Sequence, residues 1–193
     1  YKVPKRQSMK RQEECSGAWA TPEFRNAMDY SATAYFFASA LSNALQVPVG
    51  IVNCSYGGSH VESWISDDVC RRYEDIPQDS LGIYNFGKWD FDRPMLMYNA
   101  MFHPVRHYAY KGIIWYQGCS NRKRPEQYKR LQPAFVKMLR RDWDNENMPF
   151  YFTQIAPYKA SNPDKRRGGF MMWAQAQTLE LIPNSGMACL HDA

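Results

Sequence analysis

The sequence predicts an α/β fold, a three-layer α/β/α sandwich around a mostly parallel central sheet. Three observations carry that expectation. Short β-rich runs alternate with segments of helical period. Their connections are too long for hairpins, and three polar clusters each fall directly after an apolar run. A parallel sheet gathers such clusters at the carboxyl ends of its strands, where open sheets bind ligands.

The elements follow in order. After a polar, basic lead-in, Asp29–Leu45 places Tyr30, Ala34, Phe37, Leu41 and Leu45 at helical spacing, with Asp29 as the expected N-cap. Val47–Cys54 reads as a short strand. It ends in Ser55-Tyr-Gly-Gly-Ser-His60, whose Gly57–Gly58 pair lets backbone approach a ligand closely. Val61–Ser66 opens a short helix. Residues 67–107 show no clean period and are rich in proline, glycine and aromatics, so an irregular insertion over the sheet edge is expected. Gly112–Tyr116 is the next strand and runs into the polar turn Gly118–Asn121. Pro125–Asp142 is helical, with Tyr128, Leu131, Phe135, Met138 and Leu139 on one side and Pro133 expected to kink or split it. Pro149–Ala156 is a strand, Lys159–Gly169 a polar loop and Phe170–Ile182 a helix. Gly186–Leu190 is a last strand ending at His191-Asp192.

A chain of 193 residues fits one domain, 1–193, and its 45% hydrophobic and 22% charged residues are ordinary for a globular protein. The net charge of +5 is gathered in short runs at Lys2–Arg11, Arg122–Arg124 and Lys165–Arg167. Nucleic-acid binding wants a continuous basic face with stacking aromatics, so these runs read as solvated loops. The five cysteines show neither C-x-x-C nor metal-ligand spacing. Their odd count argues against a disulfide framework, and Cys54 and Cys189 read as small core residues. No segment is long and apolar enough to span a membrane. The start at Tyr1 fits a fragment or a processed product, so the lack of a visible signal peptide carries no weight.

Several residues invite chemistry. Ser120 follows a strand and precedes a helix as an elbow nucleophile would, but Arg122 replaces the second glycine of G-x-S-x-G. Cys119 has no base near it in sequence. His103 and His107 are four apart, yet Pro104 interrupts a shared helix face and no third ligand is evident. Asn121 offers an amide with two donors at the strand rim. With a backbone N–H from Gly57 or Gly58 it would supply two of the donors that acyl transfer aims at a tetrahedral intermediate.

At this point a resemblance enters. Asn53-Cys-Ser-Tyr-Gly-Gly-Ser-His-Val-Glu-Ser-Trp64 resembles the N-x-S-x-G-G-T-x-x-E-x-W segment of sialate O-acetylesterases. Met97–Pro104 is similar to that family's L-Y-N-G-M-x-x-P, Lys111–Asn121 to its K-G-x-x-W-Y-Q-G-E-S-N, and Pro149–Tyr158 to its P-F-x-x-x-Q-L-A-P-Y. Trp173–Gln177 and Pro183–Met187 fit as well, so the resemblance covers residues from about 19 to 192 in order.

The family belongs to the SGNH or GDSL-like hydrolases, flavodoxin-like α/β/α esterases that remove acetyl groups from sugar hydroxyls. The resemblance implies oxyanion-hole roles for Gly57 or Gly58 and for Asn121, and substrate contacts at Asn99, Gln117, Ser120 and Tyr158. It implies an acetylated sugar or glycan as substrate, a secreted or periplasmic setting, and no metal or cofactor. Two departures matter. The family's G-Q-S-N-M nucleophile motif and its D-x-H-P-like segment have no counterpart here, so nucleophile, acid and base are expected outside this chain. Cys119 also stands where the family more often has Glu.

Overall fold

A computed structural model describes residues 1–23, 28, 30–76, 93–157 and 165–190. Its centre is a parallel sheet of three strands in the order β1-β2-β3: β1 (Ile113–Trp115), β2 (Phe150–Thr153) and β3 (Ser185–Ala188). Ile113 pairs with Phe150 and Trp115 with Phe152, while Phe150 pairs with Ser185 and Phe152 with Met187. Helix α3 (Pro125–Asp142) connects β1 to β2, and α4 (Lys165–Leu181) connects β2 to β3. A constant direction of strand addition with right-handed crossovers puts both helices on one face. They pack side by side there.

The register explains the two faces. Side chains alternate along a strand, so Ile113, Trp115, Phe150 and Phe152 point to the α3 side. Phe135 of α3 meets Trp115 at 4.5 Å and Phe150 at 6.2 Å between ring centroids. Tyr128, Leu131, Phe135, Met138 and Leu139 form the buried stripe, as their spacing predicts. Tyr151 points the other way, where Phe37 of α1 (Ala32–Leu45) meets it at 6.4 Å. The fold is therefore α/β with helices on both faces.

Several expectations are revised. Helix α1 starts at Ala32, with the Ser31 hydroxyl accepting from Ala34 N–H; the expected cap, Asp29, lies outside the described residues. Only Ala38 of α1 is buried, and Phe36 is 69% exposed. Val47–Cys54 forms no strand of the sheet and instead makes one parallel bridge, Lys2 to Asn53. The basic lead-in is accordingly not a free loop. Val3 N–H donates to Asn53 O, Ser8 N–H to Leu96 O and Gln12 N–H to Asn99 O.

The described ends of the 67–107 stretch are helical turns. They comprise α2 (Asp67–Cys70), a π turn at Tyr98–Phe102 and a 3₁₀ turn at His103–Val105. Leu96, Met97 and Met101 there are fully buried, so these ends belong to the core rather than to a cover; residues 77–92 lie outside the described residues. Helix α3 runs through Pro133 without the expected split. Helix α4 begins at Lys165, five residues before the predicted start, and takes in Gly168 and Gly169.

Candidate functional site

The turn after β1 is shaped by one glycine. Gly118 has φ 147°, and a Cβ there would lie 2.8 Å from Ile155 Cγ2 and 2.9 Å from Gln175 Nε2. Only a residue without a side chain lets the rim turn close onto α4 and the end of β2. Buried Gln175 then ties the two strand ends together. Its Nε2 donates to Gln117 O at 3.1 Å and its Oε1 accepts from Ile155 N–H at 2.9 Å. The Tyr128 hydroxyl also donates to Gln117 O, at 3.2 Å. Burial pushes that phenol well above the usual tyrosine range, so it stays a neutral donor.

Cys119–Asn121 closes the turn as a single 3₁₀ unit and leaves Asn121 completely buried. The Asn121 side chain is held from three directions. Its Oδ1 accepts from Val61 N–H at 3.0 Å and from Gln117 Nε2 at 2.8 Å, and its Nδ2 donates to Glu62 Oε2 at 2.8 Å. Glu62 is itself buried; its other oxygen pairs with Arg124 at 2.5 Å, and His60 Nδ1 lies 3.9 Å from it. Gln117 Nε2 also donates to Ser59 O at 3.1 Å, and the Ser59 hydroxyl accepts from the Trp64 indole at 2.8 Å. Gln117 Oε1 is buried and finds no donor among the described residues. Each amide orientation follows from its partners, since both acceptors around Gln117 Nε2 would repel an oxygen.

The structure brings Gly57, Gly58, Gln117, Ser120 and Asn121 to one place. Gly57 and Gly58 are exposed, Gly58 has φ 85°, and Ser120 Oγ donates to Gly58 O at 3.0 Å. Asn99 is not part of this network; its buried amide donates to Ser8 O and Met9 O and fastens the lead-in. His103 has a similar task, with Nδ1 3.0 Å from Gln12 O and 2.8 Å from Arg106 Nη1. Tyr158 and the pair His191-Asp192 lie outside the described residues.

Sequence reasoning gave no role to Glu62, Arg124, Ser59 or Gln175. Glu62 and Gln175 both stand inside motifs that carry the resemblance, and a carboxylate flanked by Val61, Trp64 and Ile65 was the available signal. Among the described residues no group of three or more His, Cys, Asp or Glu could hold a metal ion, and no helix is long and apolar enough to cross a membrane.

Residues 22–192 match the family described as carbohydrate esterase, sialic acid-specific acetylesterase. Sialate O-acetylesterase of Mus musculus is 25% identical over 193 residues, spanning 81% of this chain and 35% of its own. That of Homo sapiens is 28% identical over 174 residues, spanning 81% of this chain and 31% of its own. The solved structure of a carbohydrate acetylesterase from Xanthomonas citri superposes with a TM-score of 0.82 at 31% identity, covering 98% of this chain and 41% of that one. The chain thus spans about a third of the length of these curated relatives.

Proposed function

The chain belongs to the sialic acid-specific acetylesterase family of carbohydrate esterases, and on that premise we propose that it forms the oxyanion-holding part of an enzyme that removes O-acetyl groups from sugars. A serine from sequence outside these 193 residues adds to the acetyl carbonyl, whose π electrons move onto oxygen. Collapse of that intermediate releases the sugar hydroxyl, and water then frees acetate from the acyl-enzyme. The Asn121 amide and a backbone N–H of Gly57 or Gly58 face the transient O⁻. Gln117 Oε1, a buried acceptor that finds no donor among the described residues, is left to receive a substrate hydroxyl.

The observation that carries the reading is the triply held Asn121 amide at the carboxyl end of β1. Asn121 is fully buried, and its neighbour Ser120 donates to Gly58 O in the exposed Gly57–Gly58 turn. Sialic acids and other acetylated sugars such as those of xylan are the substrate class, and the resemblance supports a secreted or periplasmic setting. In the full-length enzyme Asn121→Ala should lower kcat about a hundred- to a thousandfold on an O-acetylated sugar, with little change in KM. Near-wild-type turnover would overturn the assignment.

A further inference from the structure

A cavity of about 640 Å³ opens between the first turn of α3 and the second and third turns of α4, lined among the described residues by Glu126, Gly169, Phe170 and Trp173. Phe170 is 57% and Trp173 49% exposed. Two large aromatic side chains one helical turn apart, both facing outward, are unusual on a helix whose other face is packed. Trp173 is also braced, since the Lys129 ammonium stands 5.0 Å from its ring centroid. Gly169 contributes bare backbone, with open space where a Cβ would stand, so the floor stays low and the aromatic faces stay accessible.

The place of this cavity in the fold gives it meaning. Glu126 follows the site turn by five residues, and Met171, next to Phe170, would contact a Cβ at Gly118 through its Cε at 3.2 Å. The inner face of α4 therefore walls the candidate site while its outer face carries the aromatics.

We propose that Phe170, Trp173 and Glu126 form a surface subsite for a pyranose unit of the glycan substrate. The reasoning rests on the acetyl-sugar reading above. A pyranose presents an apolar, slightly positive C–H face that complements an aromatic π face, with hydroxyls around its edge. Glu126 accepts hydrogen bonds from such hydroxyls.

The test is an NMR titration of the Trp173 indole N–H in the full-length protein, with xylohexaose as the probe. The expected result is a saturable shift of the Trp173 resonance. Affinity should fall roughly tenfold in Trp173→Ala, with a smaller loss in Glu126→Gln. An unmoved Trp173 resonance, wild-type affinity in both variants, or a Trp173 closed to acrylamide quenching in the full-length protein would each overturn the subsite. Binding is read without hydrolysis. A protein that binds xylohexaose through Trp173 but releases no acetate keeps the subsite and loses the esterase reading, and the converse result does the opposite.

Discussion

Glu62→Ala is the sharpest perturbation of the rim. The carboxylate accepts from Asn121 Nδ2 at 2.8 Å and pairs with Arg124 at 2.5 Å, inside a run from Val61 to Ser66 that is wholly buried. Removing it strands the Asn121 N–H, which costs about 1–3 kcal/mol for a buried donor. It also removes the partner of Arg124. Breaking a buried ion pair costs about 3–5 kcal/mol, but the Arg124 side chain is 37% exposed and water takes over part of its solvation. The expected loss is therefore about 2–4 kcal/mol.

Glu62→Gln keeps the shape and an acceptor oxygen and should lose only about 1–2 kcal/mol. Urea unfolding measures both. With a slope of roughly 2 kcal/mol per molar, the midpoint falls by about 1–2 M in the alanine variant and by less than 1 M in the glutamine variant. An alanine variant within about 0.5 kcal/mol of wild type, or a glutamine variant as damaged as alanine, would refute the claim that this carboxylate anchors the rim.

Two further outcomes follow from single contacts. Gly118→Ala should cost about 2–4 kcal/mol, because a side chain at φ 147° meets Ile155 and Gln175 below 3 Å; a thermal midpoint within about 2 °C of wild type would count against the turn geometry. Burial first, and the hydrogen bond to Asp142 second, raise the Tyr98 phenol above its ordinary value of 10.0. That stabilisation is complete below pH 10 and is lost as pH rises further, since the unfolded chain gives up its proton first. Tyr98→Phe should therefore flatten the fall in urea midpoint between about pH 9 and 11, and an unchanged slope would remove Tyr98 as its source.

What was legible in the sequence is what depends on near neighbours. The 128, 131, 135, 138, 139 spacing of α3 defines its buried stripe without any partner, and the Ile113–Trp115 strand announces itself by its apolar run. The bounds of α4 were not legible, because Lys165–Gly169 has no apolar period and helix there is an extension of the packed part. The strand expected at Val47–Cys54 has the right residues, but a strand is defined by its partner, and among the described residues this one pairs only with the lead-in. The site divides in the same way. Asn121 could be placed at the rim from its position after β1. The groups that orient it, Val61 and Glu62, are about sixty residues away in sequence, and no local pattern reports a contact of that range.

The orientation of Asn121 has a consequence that an isosteric change exposes. Rotating the amide would turn its NH₂ toward the Val61 and Gln117 donors and its oxygen toward the Glu62 carboxylate, three mismatches at once. Asn121→Asp imposes the last of these without any rotation, by putting a second carboxylate oxygen where Nδ2 stands 2.8 Å from Glu62. Two carboxylates that close cannot both ionise, so the folded pair retains a proton at pH values where free Asp and Glu have lost theirs. A folded-state pKa raised in this way leaves stability intact below about pH 4 and removes it as pH rises. The Asn121→Asp protein should thus match wild type most closely near pH 4 and fall behind it by pH 8, as measured by urea midpoints at both values. A constant gap between the two proteins at pH 4 and pH 8 would mean that the residue 121 side chain does not face Glu62, and the rim would have to be rebuilt from different contacts.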